Sequence, residues 1–162
     1  ALAHFLHARG RRHPALLSGD DARARRREAG FDSAAAEFGW RPAARLRVPS
    51  PTTHASGRRG FAELLASHPE TDVLCCSSDM LALGALTEAR VQGVAVPAEC
   101  AVIGLGDHDF AASVEPALTT VRIDGTAIGR TAARLIIERA EGVTAATTRV
   151  DIGFSIVERA SS

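Results

Sequence analysis

The stretch that most constrains the fold runs from Val73 to Leu86 and reads V-L-C-C-S-S-D-M-L-A-L-G-A-L. A short apolar run is followed by two serines and an acid, and a helical run then begins at Met80. This order predicts a buried strand, a tight turn and the start of a helix. In open α/β sheets, ligands lie at the carboxyl ends of the strands, where the first N–H groups of the next helix also point. The turn Ser77-Ser78-Asp79 is therefore our first candidate for a binding site.

The same alternation of strand and helix recurs along the whole chain. Strands are predicted at 14–18, 45–48, 73–76, 101–104, 119–122 and 149–159, and helices at 22–38, 53–67, 79–92 and 126–140. Strands that alternate with helices through short connections are typical of parallel sheets. The sequence thus predicts an α/β fold with a doubly wound, mostly parallel sheet and helices on both faces.

Composition excludes several classes of protein. The 162 residues are 46% hydrophobic, which suits one domain with a real core. No apolar run is long enough to span a bilayer, and the first residues lack the pattern of a signal peptide, so we expect a cytoplasmic chain with no membrane contact. Arginine outnumbers the acids in residues 1–60, but no helix-turn-helix, zinc-finger or interleaved aromatic pattern accompanies it. We interpret these arginines as solvated helix faces rather than as a nucleic-acid surface.

The sequence offers little support for a metal or a cofactor. Cys75, Cys76 and Cys100 lack metal-ligand spacing, and His4 and His7 have no acidic or cysteine partner nearby in the sequence. We therefore expect buried, reduced cysteines, no metal site and no cofactor.

An enzyme remains an alternative. The side chains of Ser78, Asp79, Asp107 and His108 follow predicted strands and could form a hydrolytic cluster. That reading requires a ring nitrogen of His108 within hydrogen-bond distance of a serine hydroxyl. Fold class alone does not decide the question, and our prediction is that the chain is not an enzyme.

Three ordered motifs resemble the ligand-binding core of LacI/GalR-type bacterial repressors. They are D-V-L-C-C-S-S-D-M-L-A-L-G-A-L at 72–86, V-P-A-E-C-A-V-I-G-L-G-D-H-D-F at 96–110, and the segment from Pro116 to Arg139, P-A-L-T-T-V-R-I-D-G-T-A-I-G-R-T-A-A-R-L-I-I-E-R. The R-R-R-E-A-G-F run at 25–31 is similar to the family's helix that carries a ligand-binding arginine.

The resemblance implies a periplasmic-binding-protein-like domain in which two α/β subdomains close over a small-molecule effector. Residues 1–124 and 143–162 would form mainly the second subdomain, and 125–142 would be a crossover helix of the first. It also implies a homodimer, and operator DNA would be bound only through an N-terminal headpiece that we expect to be absent from this chain. The helix at 126–140 would then lack its usual partner. We expect it either to pack abnormally or to pair with another copy.

The resemblance also implies a ligand site. Its positions in this chain are Arg27, Thr52, Ser78, Asp79, Gly106, Asp107 and Ile123. The family's pocket asparagine falls at Ser78, and the first of its two acids falls at Gly106, so two groups that bind sugar hydroxyls are missing. We expect a ligand that is less hydroxylated than a hexose, or one that is anionic and held by Arg27. The alternative is an effector role that has decayed or shifted to protein contacts.

The helix at 79–92 is apolar nearly all round, which indicates burial on two sides. One side would be the sheet, and the other could be a partner subunit, as the resemblance implies. The expected dimer contacts are Met80, Leu83, Leu86 and Val114. Coverage by another helix of the same chain is the alternative. An exported solute-binding protein of a transport system is a rival for the function as a whole.

Overall fold

A single sheet forms the centre of the structure. The computed structural model describes residues 1–142 and 149–162. Within these residues the strands are β1 (Pro14–Gly19), β2 (Ala44–Val48), β3 (Val73–Cys76), β4 (Ala101–Leu105), β5 (Thr119–Arg122) and β6 (Ser155–Val157). They are ordered β2-β1-β3-β4-β5-β6, and every pair is parallel except β5 with β6. This confirms the predicted doubly wound, mostly parallel sheet.

Five α-helices occur in the described residues, and polar side chains begin four of them. The helices are α1 (Leu2–Ala8), α2 (Ala22–Ala36), α3 (His54–Ser67), α4 (Asp79–Gln92) and α5 (Gly125–Ala140). Asp21, Ser78 and Asp124 each accept a hydrogen bond from a backbone N–H in the first turn of α2, α4 and α5. Thr53 and Ser56 form a reciprocal capping box at α3. Such caps satisfy N–H groups that have no partner inside the helix. No helix in the described residues is long and apolar enough to cross a membrane.

Two hydrophobic clusters lie on opposite faces of the sheet. One is centred on Phe61 of α3 and Leu81 of α4, and the other is centred on Leu6 of α1 and Phe31 of α2. The strands between them are buried on both faces, so their sequences read as continuous apolar runs. The predicted coverage of both faces by helices is confirmed.

Two glycines bring α3 and α4 into backbone contact. A Cβ placed on Gly84 would lie 2.2 Å from the carbonyl oxygen of His54, and one on Gly57 would lie 2.3 Å from the carbonyl oxygen of Leu81. One side of α4 is thus covered by α3, which is the alternative that the sequence left open. Leu86 is only 6% exposed and lies in the core, so its assignment to a dimer interface is corrected.

The apolar stripe of α5 is not buried by any of the residues that the structure describes. None of its described residues is buried, and Ile128, Ile136 and Ile137 are 46%, 69% and 56% exposed. The structure thus leaves an exposed apolar patch on this helix, and its burial against another copy or another subdomain stays a prediction.

The end of the chain forms less strand than predicted. Instead of the strand expected over 149–159, only Ser155–Val157 pairs with the sheet, and it does so antiparallel to β5. Gly153 has φ +75°, which bends the chain just before this strand. Residues 143–148, which the sequence placed in the second subdomain, lie outside the described residues.

Candidate functional site

Two adjoining cavities open at the carboxyl ends of β4 and β5. Both are lined by Arg27 and Phe31 of α2, by Leu105 at the end of β4 and by Val121 of β5. The larger has a volume of about 410 Å³ and extends to Ile123, which is within the range of small-molecule sites. This is the edge of the sheet at which the sequence predicted a site.

Of the seven predicted positions, Arg27 and Ile123 lie on this cavity wall. Arg27 projects from the second turn of α2, and its exposed side chain makes no hydrogen bond or ion pair with any residue that the structure describes. Ile123 follows β5 directly and is 42% exposed. The structure therefore places beside apolar surface a guanidinium that pairs with none of the described residues.

Thr52 and Ser78 meet at the next part of the edge. Their hydroxyl oxygens are 3.1 Å apart, and Ser78 also caps α4 by accepting from the N–H of Leu81. Close by, the hydroxyl of Ser77 accepts a hydrogen bond from the N–H of Gly19 at 3.1 Å. Because these hydroxyls are half-buried and can rotate, they can still donate to or accept from a polar ligand.

Asp79 is turned inward. It is fully buried, accepting from the hydroxyl of Thr120 at 2.6 Å and from the backbone N–H of His108 at 2.8 Å. The Nδ1 atom of His108 lies 3.3 Å from the same carboxylate. Asp79 thus joins α4, β5 and the turn after β4, and no part of it faces the cavity. The structure gives this predicted ligand residue the geometry of a positioning residue.

Gly106 and Asp107 form that turn. Gly106 has φ +138°, and a Cβ there would lie 2.8 Å from Nδ1 of His108, so the histidine ring fills the space that a side chain at this position would need. The carboxylate of Asp107 accepts from Arg122 at 2.5 Å and from Arg159 at 2.7 Å. Burial alone would raise the pKa of Asp107, but the two guanidinium hydrogen bonds outweigh it and hold the pKa below its ordinary value.

Sequence reasoning missed a partly buried ion pair next to Arg27, between the buried Glu28 and the more exposed Arg47. Glu28 is 5% exposed and accepts from the hydroxyl of Ser18 and from the guanidinium of Arg47, each at 2.5 Å. The effect of burial, which raises the pKa of Glu28, is outweighed by these hydrogen bonds, so the pKa is lowered. The burial of Glu28 could have been predicted from helical spacing, because it lies four residues after Ala24 and three before Phe31, both buried on α2.

We expect acid to destabilise the fold through this pair. A carboxylate whose pKa is lower in the folded state stabilises fully above the unfolded-state value, near 4.5 for Glu28, and that stabilisation disappears as the pH falls through the folded-state value. Glu28→Gln should therefore flatten the fall in unfolding free energy below about pH 4.5. Urea unfolding between pH 3 and pH 7 measures this. Glu63→Gln, at an exposed position of α3, is the control. If the unfolding free energy of Glu28→Gln fell with pH as steeply as that of the unmodified protein, the assignment would be contradicted.

The geometry gives no support to a hydrolase. Within the described residues, the ring of His108 contacts Asp79, and no serine hydroxyl hydrogen-bonds to it. The predicted cluster of Ser78, Asp79, Asp107 and His108 is therefore not assembled as a nucleophile with its base. The three cysteines are buried, as expected, and burial raises the pKa of Cys75 and of Cys100 to about 12, which makes both thiols poor nucleophiles.

Known proteins with similar sequences are transcriptional regulators. The HTH-type transcriptional regulator GntR of Pseudomonas aeruginosa PAO1 is 36% identical over 164 residues, covering 100% of this chain and 48% of its own length. GntR of Escherichia coli K12 is 29% identical, covering 92% of this chain and 45% of its own. The chain thus spans about half the length of the curated relatives it matches.

Solved structures of regulators superpose on nearly the whole chain. The transcription regulator GntR from Chromobacterium violaceum has a TM-score of 0.94 at 33% identity, covering 99% of this chain and 60% of its own. A complex of the regulator CelR with cellobiose has a TM-score of 0.87 at 28% identity, covering 99% of this chain and 50% of its own. The lac repressor dimer bound to operator and an anti-inducer has a TM-score of 0.89 at 25% identity, covering 98% of this chain and 55% of its own.

A family model for the periplasmic binding protein-like domain matches residues 3–162. Together with the sheet order and the regulator relatives, this match confirms the predicted resemblance. The chain therefore belongs to the family of periplasmic-binding-protein-like domains, in the form found in LacI-type transcriptional regulators.

Proposed function

We propose that this chain is the effector-binding and dimerisation part of a LacI-type regulator, which senses a small molecule and thereby changes the affinity of the whole protein for operator DNA. The observation that carries the proposal is the cavity at the carboxyl ends of β4 and β5, where Arg27 has no partner among the described residues. A regulator relative bound to cellobiose supports a sugar-like ligand. A protein that binds operator DNA must be in the same compartment as the chromosome, so we propose a cytoplasmic location.

The proposal divides the chain between two subdomains. Residues 1–124 and 143–162 belong to the second, which contains the sheet, and 125–142 cross over to the first. The uncovered stripe of α5 supports this division, because exposed apolar surface of that extent is expected to be buried against another element. The cavity would then be one wall of a cleft between the subdomains.

DNA binding tests the regulatory role. DNA fragments that the full-length protein retains would be selected first, and the affinity for them would be measured with and without a panel of hexoses, hexitols, nucleosides and six-carbon sugar acids. We expect at least one compound to change the affinity fivefold or more, the usual lower range of allosteric coupling. A full-length protein that retains no DNA, or whose affinity no compound changes, would contradict the proposal.

We propose that the outward side of α4 forms the dimer contact. Met80, Leu83 and Val114 are apolar and half-buried, so part of each side chain is available for contact with a partner. The lac repressor, which is similar in structure, is a dimer. Apolar side chains left partly exposed in this way suit an interface between identical subunits.

Leu83→Glu should weaken dimerisation at least tenfold, because the interface would have to desolvate a carboxylate that has no partner. Sedimentation velocity at several protein concentrations measures the effect. Ala29→Glu is the control, since Ala29 is exposed on α2 across the sheet. Equal dimerisation of the two variants would place the interface elsewhere.

A further inference from the structure

A single carboxylate, that of Asp107 in the turn after β4, binds one arginine from β5 and one from the segment that follows β6. Its Oδ2 atom accepts from Nε of Arg122 at 2.5 Å, and its Oδ1 atom accepts from an Nη atom of Arg159 at 2.7 Å. Arg122 is the last residue of β5, and Arg159 lies two residues beyond the end of β6. The turn at the edge of the candidate site is therefore tied to both strands through one side chain.

β5 and β6 are the two connections between the sheet and α5. The chain leaves the sheet at Arg122, α5 begins at Gly125, and the chain returns to the sheet at Ser155. None of the described residues of α5 is buried, so packing within the described part of the chain does little to fix this helix on the sheet. Its position therefore depends on how firmly β5 and β6 are held.

The two ion pairs of Asp107 differ in their exposure to solvent. The side chains of Asp107 and Arg159 are 10% and 16% exposed, whereas that of Arg122 is 50% exposed. Opposite charges that are shielded from water attract each other more strongly than exposed ones. The guanidinium of Arg159 also donates to the carbonyl oxygen of Leu118 at 2.7 Å, which fixes its direction. The pair with Arg159 is therefore the stronger of the two.

We infer that Asp107 is a positioning residue that clamps both connections of α5 to the turn at the edge of the candidate site. A shift of this turn would move β5 and β6 together, because one carboxylate holds both. Arg122 and Arg159 pair with no other acid in the described part of the chain, so the loss of this one charge would leave two guanidinium groups without a counterion. The clamp goes beyond the proposed function, and its test needs no effector, so it stands if the sensor role fails.

Asp107→Asn removes the charge with the least change to the backbone. Asp107 has φ +57°, a left-handed conformation that asparagine tolerates better than most residues do. The full-length protein would carry one nitroxide at Arg130 of α5 and one at Glu63 of α3, two exposed positions, each attached through a non-natural amino acid so that native cysteines stay unlabelled. Pulsed electron resonance, after exchange of subunits with an excess of unlabelled protein, gives the distance distribution within one subunit.

We expect this distribution to be at least twice as wide in Asp107→Asn as in the labelled parent, because α5 gains freedom once its connections are released. Asp109→Asn, which changes an exposed acid two residues later, should leave the width unchanged. So should Gly84→Ala, which forces α3 and α4 apart and lowers stability without touching the clamp. An unchanged width in Asp107→Asn, or an equal widening in Gly84→Ala, would overturn the clamp.

A double-mutant cycle tests the stronger of the two pairs. Asp107→Asn and Arg159→Gln should each raise the equilibrium constant for unfolding about tenfold. The double variant should raise it far less than the product of the two effects, because both changes remove the same pair. Arg122→Gln, at the exposed pair, should have a smaller effect. Urea unfolding of the full-length protein measures all four variants, and a double variant that shows the full product would overturn the clamp.

Discussion

Replacing Gly84 with alanine is expected to lower the free energy of unfolding by roughly 2–3 kcal/mol. The added methyl group would lie 2.2 Å from the carbonyl oxygen of His54 and 2.8 Å from the backbone nitrogen of Arg58. Because both neighbours are backbone atoms of α3, neither can rotate away, and the two helices must separate. Separation would loosen the cluster around Phe61 and Leu81. Urea unfolding followed by circular dichroism measures the change.

Gly30→Ala is the matched control for that prediction. Gly30 is also helical, but no atom lies within 4 Å of the position its Cβ would take. Alanine has the higher helix propensity, so this variant should gain roughly 0.5–1 kcal/mol. A Gly84 variant as stable as the Gly30 variant would show that α3 and α4 are not in backbone contact.

Replacing Asp79 with alanine is expected to cost about 3 kcal/mol of stability. The substitution leaves the N–H of His108 and the hydroxyl of Thr120 without their acceptor, and it opens a cavity where the side chain is 0% exposed. The turn at Gly106 and Asp107 would also lose its tie to α4. We therefore expect both a lower unfolding midpoint and weaker effector binding.

Two further variants separate the buried network from a general effect of charge. Asp109→Ala removes an exposed acid two residues after the same turn and should change stability by less than about 0.5 kcal/mol. Thr120→Val removes one donor to Asp79 and the acceptor of a long hydrogen bond from the N–H of Asp107, and should fall between the two. If Asp79→Ala and Asp109→Ala were equally stable, Asp79 would not position this turn.

Local patterns were enough to predict most of the fold. The strand at Val73–Cys76 and the helix at Asp79–Gln92 were predicted with the observed bounds, because a short apolar run, a serine cap and a glycine stop define them locally. The length of the final strand was overestimated, since it was predicted over 149–159 and spans only Ser155–Val157. Alternation continues through 149–154, but pairing depends on where the neighbouring strand β5 begins and ends, which the local sequence does not record.

The positions of the candidate residues could be predicted from the sequence, but their pairings could not, and their role in binding stays a prediction. Motif order located Arg27, Ser78 and Ile123 at one edge of the sheet, as the structure has them. The partners of Glu28 and Asp107 come from Arg47 and Arg159, which are distant in the sequence and are brought near only by the sheet order. Charge counting cannot reveal that an acid is already neutralised, so the lack of a partner for Arg27 among the described residues could be found only from the three-dimensional contacts.

Hydrogen–deuterium exchange on the full-length protein tests the central claim, that the carboxyl edge of this sheet is an effector site. The protein would be compared with and without each small molecule that raises its melting temperature, since a ligand bound only by the folded state must raise it. We predict slower exchange at Gly19, Ser77 and Gly106, which lie at the carboxyl ends of three different strands, and no change at the opposite ends of the same strands. Protection confined to the outward side of α4 would contradict the account, and so would the absence of protection at both this side and the carboxyl edge.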